Sequence, residues 1–166
     1  MKNNLLNGNS FSCGIICAIS YIACMAFFGS PLEMIHIIRG INILPPIWMF
    51  NLFSVLWFFL IGIAAGAIIS STGRKLNAGK SEIYSYKGGL FFLICFFTSL
   101  IRYYLFFFTG KFFTSLIISI ICLLCSFLCM SLWSHVNPKS SSVIMFLFSI
   151  WQFYLFFVNL FVFLHN

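Results

Sequence analysis

The acidic and imidazole side chains that enzymes use for proton transfer are scarce in this 166-residue chain. It contains no Asp, and its only carboxylate side chains are those of Glu33 and Glu82. The three histidines, His36, His135 and His165, stand far apart, so no Ser-His-acid or His-Glu-x-x-His spacing can be assembled from them. We therefore expect neither hydrolysis by a carboxylate pair, nor phosphoryl transfer, nor proton pumping through buried carboxylates.

Thiols are abundant, but their positions argue against both disulfides and a metal site. All seven cysteines lie within apolar runs and none lies in a loop where a framework disulfide would form. Cys122, Cys125 and Cys129 follow an i, i+3, i+7 spacing, which places them on one stripe of a helix. Thiolate ligation of a metal there would need neutralising charge that the surroundings lack. The pattern predicts small side chains packed between helices and no metal.

Arg102 is the charged residue that lies inside an apolar run. An ionisable residue within a membrane segment is a functional candidate by default, here as a partner for a carboxylate on a ligand. It stands about two-thirds along its segment, so its long side chain could instead reach the membrane surface. The sequence leaves both interpretations open and favours the second.

A proline pair precedes the aromatic residues that open the second apolar run. Pro45 and Pro46 restrict the backbone before a first helical turn. Trp48 and Phe50 then fall near the level of the lipid headgroups. They are typical of an interfacial aromatic belt, and they could also present ring faces to a flat ligand.

These residues are carried by segments long enough to span a bilayer. A hydrocarbon core of about 30 Å needs about 20 apolar residues in a helix. Hydrophobic residues make up 62% of the chain, charged residues only 7%, and the mean hydropathy is +1.09. The sequence predicts a single domain over 1–166, an all-α bundle of five transmembrane helices, the first of them retained and not cleaved as a signal peptide. The predicted helices cover 10–28, 47–70, 88–108, 112–133 and 142–164.

The net charge of +7 is unevenly distributed between the two sides of such a bundle. Positive residues mark the cytoplasmic side, so the sequence predicts a cytoplasmic N-terminus, a basic cytoplasmic connector over 72–87 and no nucleic-acid partner. One side carries Lys2, Arg74, Lys75, Lys80, Lys87 and Lys139, and the other carries Arg39 and Lys111.

From residue 45 to 166 the chain resembles the translocator protein family, also called tryptophan-rich sensory proteins or peripheral benzodiazepine receptors. In that family the second helix opens with Pro-Pro-x-Trp-x-Phe and continues through Gly-x-Ala. The fourth helix ends in a Trp shortly before a Pro, and the fifth carries a Trp, an aromatic residue and an Asn. The matching residues are Pro45, Pro46, Trp48, Phe50, Gly62, Ala64, Phe106, Phe107, Trp133, Pro138, Trp151, Tyr154 and Asn159.

The chain departs from the family at several positions. Ser54 replaces a tryptophan of the second helix, although Trp57 lies three residues further on. Ser99 and Ile118 stand where the family often has a polar and an acidic residue. The loop 35–44 lacks the aromatic residues and the Lys-Pro of the family's first loop.

The resemblance implies a cavity inside the bundle that binds a planar apolar ligand, a porphyrin or a sterol-like lipid, with a role in tetrapyrrole sensing, transport or turnover. It implies no required cofactor, a homodimer and a bacterial cell membrane. Ser54 and Ser99 could supply additional polar handles, and Arg102 could pair with a ligand carboxylate. The implied ligand-binding residues are Trp48, Phe50, Trp57, Phe106, Phe107, Trp133, Trp151, Tyr154 and Asn159.

Three alternatives remain at this point. The chain could be a substrate-binding membrane subunit of a small-molecule transporter, or a structural membrane protein without a ligand. It could also assist photo-oxidation or breakdown of a porphyrin, with Trp151 and Trp57 as the reactive indoles. The Gly-x-x-x-Gly pattern of Gly62 and Gly66 allows close helix contact, either inside one bundle or between two copies.

Overall fold

Five long helices make up almost all of the described structure. The computed structural model describes residues 8–28, 46–72, 79–136 and 141–165. Each helix is long and apolar enough to cross a membrane, and no strand occurs in these residues. The predicted all-α bundle of five transmembrane helices is confirmed, and the chain is an integral, multi-pass membrane protein. The helices are α1 (Gly8–Phe28), α2 (Ile47–Thr72), α3 (Gly79–Phe107), α4 (Phe112–Ser134) and α5 (Ser141–His165).

Local sequence explains where two of these helices begin and end. The carbonyl of Pro46 accepts hydrogen bonds from the backbone N–H groups of Met49 and Phe50, so α2 begins directly after the proline. Gly110 adopts a φ of 62°, the left-handed conformation that commonly ends a helix and that glycine tolerates best. The resulting short turn makes α3 and α4 antiparallel neighbours.

The start of α3 differs from the prediction. The sequence predicted this helix from residue 88, after a basic connector over 72–87, but α3 begins at Gly79. The additional turns contain Glu82, whose negative charge in the first turn suits the positive end of the helix dipole. Charged and aromatic residues from Glu82 to Lys87 interrupt the apolar run, which is why hydropathy alone placed the boundary too late.

The helices follow one another around the bundle in the order α1, α2, α5, α4, α3. The tightest neighbours are α3 with α4, α1 with α2, and α4 with α5, while α3 contacts α1 only slightly. Large apolar side chains face outward along the helices, Ile16, Phe97, Leu124 and Phe153 among them. This outer surface fits a lipid environment.

Glycines allow the close approach of α1 and α2. A Cβ atom at Gly62 would lie 2.6 Å from the carbonyl oxygen of Cys13, and one at Gly66 would lie 2.5 Å from the Cα of Ser10. The Gly-x-x-x-Gly pattern is therefore used inside the bundle, as small-residue patterns in membrane helices often are. The homodimer stays a prediction.

The cysteine stripe of α4 packs against α3. The thiols of Cys95 and Cys122 are 3.5 Å apart, and the Sγ of Cys129 lies 3.4 Å from the carbonyl oxygen of Gly88. These cysteines are buried and unbridged, as expected for small side chains at a helix interface.

Several sequence predictions concern residues outside the described structure. The first loop, 35–44, is among them, as are the two prolines of the family motifs at 45 and 138. The orientation, the bacterial cell membrane and the cytoplasmic N-terminus remain predictions, since most of the charges behind them are also outside it. These charges are Lys2, Arg39, Arg74, Lys75 and Lys139.

Candidate ligand-binding site

Five of the predicted ligand-binding residues form one aromatic cluster where α2 begins and α3 ends. The rings of Phe50 and Phe107 are 5.3 Å apart, and Phe50 is 6.0 Å from Trp151. Tyr154 lies 5.3 Å from Trp151, and Phe106 lies 4.9 Å from Phe107. Centroid distances of this size are typical of interacting aromatic pairs. Helices α2, α3 and α5 thus bring their ring faces together at one end of the bundle.

Arg102 lies beside this cluster and points into the bundle. Its side chain is only 8% exposed, so it does not reach the membrane surface as the sequence favoured. One nitrogen, Nη1, donates a hydrogen bond to Oε1 of Gln152 over 2.9 Å. A guanidinium carries five N–H donors, and a neutral amide cannot balance its charge. Within the described residues Arg102 has no carboxylate partner.

A small cavity separates the cluster from Arg102. Its volume is about 20 Å³, and Tyr103, Leu155, Val158 and Asn159 line it together with Phe50, Phe106, Phe107 and Arg102. The hydroxyl of Tyr103, one of these lining residues, is buried and has no hydrogen-bond partner among the residues that the structure describes. Sites for small molecules usually measure about 300–1,000 Å³, so a ligand would have to spread the rings apart.

The predicted polar handles are already used for helix packing. Asn159 accepts a hydrogen bond from the Ser115 hydroxyl over 2.7 Å and donates one to the carbonyl of Leu155. Ser99 Oγ lies 3.0 Å from the thiol of Cys122, and Ser54 is buried in α2. Asn159 lines the cavity, but its amide ties α5 to α4. Arg102 and Tyr103 are the better handles.

Three predicted residues lie away from the cluster. Trp48 is 68% exposed at the start of α2 and faces outward. Trp57 packs against Phe148, with ring centroids 6.3 Å apart. Trp133 lies in the last turn of α4, at the opposite end of the bundle, where it stacks on Phe92 at 5.6 Å. The sequence predicted one set of ligand-binding residues, but in the structure these three tryptophans lie apart from the aromatic cluster.

Trp133 borders a much larger opening, the α1–α3 cleft. This space has a volume of about 670 Å³ and lies at the end where α1 and α3 begin. Cys13 and Cys17 of α1, Ile68 of α2 and Glu82 of α3 are among its lining residues. It occupies the side where α1 and α3 barely touch.

Sequence reasoning missed Gln152, Tyr103 and Glu82. Gln152 is the only glutamine of the chain and interrupts an apolar run, which was a readable signal for a buried polar contact. Tyr103 directly follows Arg102, but nothing in its spacing tells that its hydroxyl is buried. Glu82 was assigned to a loop because the start of α3 was placed too late.

Comparison with known proteins gives one match. A family model described as the TspO/MBR family matches residues 13–164, nearly the whole chain. No curated protein and no solved structure matches the chain.

Proposed function

The chain belongs to the TspO/MBR family, and on that basis we propose that it binds a planar apolar ligand, a porphyrin or a sterol-like lipid, inside its helix bundle. The ligand would insert at the aromatic cluster, between α2, α3 and α5. Its role would be tetrapyrrole sensing, transport or turnover. The observation that carries the proposal is the buried Arg102 beside a group of ring faces.

The charge of Arg102 favours a ligand that carries an acid. Burying a guanidinium costs several kcal/mol unless an anion and further hydrogen bonds compensate. Gln152 supplies one hydrogen bond and no charge. A carboxylate in the cavity could accept two N–H groups of Arg102 and one hydrogen bond from the Tyr103 hydroxyl. Among planar apolar molecules, a porphyrin with propionate groups meets this requirement, and a sterol-like lipid does not.

The rings of the cluster would supply the remaining contact. A porphyrin is flat, and stacking on Phe50, Phe107 and Trp151 would bury both of its faces. These rings are packed in the structure, so binding has to separate α2 and α3 or rotate the side chains. The contact between α2 and α3 is limited, which makes this separation less costly than one between α3 and α4.

A pair of ligands that differ only in charge tests the proposal. Protoporphyrin IX and its dimethyl ester would be titrated into detergent-purified protein while tryptophan fluorescence is followed. The wild type should bind the free acid about tenfold or more tightly than the ester, the size expected for hydrogen bonds to a charged group. In Arg102→Gln the two affinities should become equal.

The control variant is Trp133→Phe, whose ring lies at the other end of the bundle. It should keep the wild-type preference for the free acid. Equal binding of acid and ester by the wild type would refute the role of Arg102. Absence of saturable binding of either ligand would refute the proposed function itself.

A further inference from the structure

The α1–α3 cleft has the dimensions of a binding site and lies far from the aromatic cluster. Its volume of about 670 Å³ is within the range of about 300–1,000 Å³ that small-molecule sites occupy. Most of its lining is apolar, including Ile16, Ile68 and Leu93. The cleft is partly open, and it lies between two helices whose outer faces are apolar. A ligand would therefore enter it from the bilayer.

Trp133 gives the cleft a buried polar group that has no partner among the described residues. The side chain is 1% exposed, and its indole N–H donates no hydrogen bond within the described ranges. A buried donor without an acceptor costs about 1–3 kcal/mol, and buried Trp N–H groups usually find one. Trp133 lines the cleft, so an occupant with an acceptor oxygen near its ring could accept this N–H.

Two adjacent glycines of α3, Gly88 and Gly89, shape the space around this indole. A Cβ atom at Gly88 would collide with the Trp133 ring, so Gly88 lets the indole lie directly against the helix. A Cβ atom at Gly89 would meet no described residue within 4 Å, because Gly89 faces the open cleft. The missing side chain at Gly89 therefore contributes to the cavity.

The mouth of the cleft is polar and acidic. Glu82, Ser85 and Tyr86 line it in the first turns of α3, and Glu82 is exposed. It is the only acidic residue in the described part of the chain, and it forms no ion pair there. Basic residues near this end, such as Lys87, favour anionic lipids at the surface in general. The Glu82 carboxylate at the cleft would instead attract a cation.

We propose that the α1–α3 cleft binds a membrane lipid with a primary-amine headgroup, with its apolar chain in the cleft and its amine at Glu82. The glycerol ester oxygens of such a lipid would lie between headgroup and chain, where they could accept the Trp133 N–H. This site is independent of the aromatic cluster, and the two differ in charge preference. Arg102 selects an acid at one end and Glu82 a cation at the other.

The test uses a variant whose only tryptophan is Trp133. Trp48, Trp57 and Trp151 are replaced by Phe, and the protein is placed in phosphatidylcholine nanodiscs. A fixed fraction of the lipid carries brominated chains on either phosphatidylethanolamine or phosphatidylglycerol. Bromine quenches fluorescence only at short range. The ethanolamine lipid should quench Trp133 about two- to fivefold more than the glycerol lipid, the preference that one exposed ion pair gives.

Two substitutions and a second reporter complete the design. Glu82→Gln should abolish the difference between the lipids, and Gly89→Leu should remove most quenching by filling the cleft. A variant that keeps only Trp48, which is exposed at the opposite end, should show no headgroup preference. Helical circular dichroism checks that each variant is folded.

Two results would overturn the proposal. Equal quenching of Trp133 by both lipids would refute the amine headgroup. No quenching of Trp133 by either lipid, as when a second copy of the chain covers the cleft, would refute lipid binding at this site.

Discussion

Arg102 shows why single polar residues matter so much in this chain. In water a lone arginine on a helix has little effect, but inside an apolar bundle its charge needs a partner. The structure gives it one amide, on Gln152, and a neighbouring Tyr103 hydroxyl without a hydrogen bond among the described residues. Such incomplete compensation is expected at a binding site, where the ligand supplies the remaining contacts.

At the other end of the bundle, adjacent glycines provide a matched pair of substitutions. Gly88→Ala would force a methyl group against the Trp133 ring, whereas Gly89→Ala would place it in open space. Overpacking should destabilise the first variant by about 1–3 kcal/mol. The second should be neutral or gain up to about 1 kcal/mol from the better helix propensity of alanine. Unfolding in detergent, followed by circular dichroism, measures both. Equal stability of the two variants would contradict the packing of Trp133 on α3.

The helices form two closely packed groups that contact each other less extensively. Helices α3, α4 and α5 are tied by extensive packing and by hydrogen bonds such as Ser115 to Asn159 and Ser149 to Ser126. Helices α1 and α2 form a second closely packed pair, which contacts α3 only lightly. Both candidate sites lie along the boundary between these groups. Opening at that boundary would disrupt the fewest contacts.

Close contact between α1 and α2 depends on glycine, which gives a prediction at the level of the helix pair. Gly62→Ala would bring a methyl group to 2.6 Å from the Cys13 carbonyl oxygen, so α1 must shift. The free energy of unfolding should fall by about 1–3 kcal/mol. Gly8→Ala, whose added methyl group would meet no described residue within 4 Å, is the control and should have little effect.

The same variants show whether the Gly-x-x-x-Gly pattern serves helix contact inside one bundle or between two copies. Multi-angle light scattering of the purified proteins should give the same oligomeric mass for Gly62→Ala as for the wild type, because Gly62 contacts α1 of its own chain. A lower mass for Gly62→Ala with unchanged stability would instead place this glycine at an interface between copies.

For the molecule as a whole, the sequence predicted the fold, whereas the structure was needed to show which of the predicted site residues lie together. Five apolar runs were enough to predict five helices, since spanning length is a property of local composition. The start of α3 was missed because residues such as Glu82 and Lys87 continue the helix beyond the apolar run. Hydropathy does not report a helix that extends past the hydrocarbon core.

The division of the site could not be read from local sequence. Trp133 and Trp151 are both tryptophans in apolar helices, and only the tertiary arrangement places Trp151 beside Phe50 and Trp133 on Phe92. Phe50 and Phe107 meet because α2 starts where α3 ends, which follows from topology and short loops. The hydrogen bond from Ser115 to Asn159 depends on the relative rotation of α4 and α5. Residue spacing within one helix carries no information about this rotation.

One titration distinguishes a planar ligand bound at the aromatic cluster from a ligand bound elsewhere or not at all. Protoporphyrin IX is added to purified wild type, Trp151→Phe, Trp133→Phe and an unrelated five-helix membrane protein, and ligand absorbance and fluorescence quenching are followed. We predict saturable binding that is weakened about tenfold or more in Trp151→Phe, since aromatic anchors dominate such contacts, and unchanged in Trp133→Phe. Binding that is lost in Trp133→Phe and retained in Trp151→Phe, or that equals that of the unrelated protein, would rule out a ligand site at the aromatic cluster.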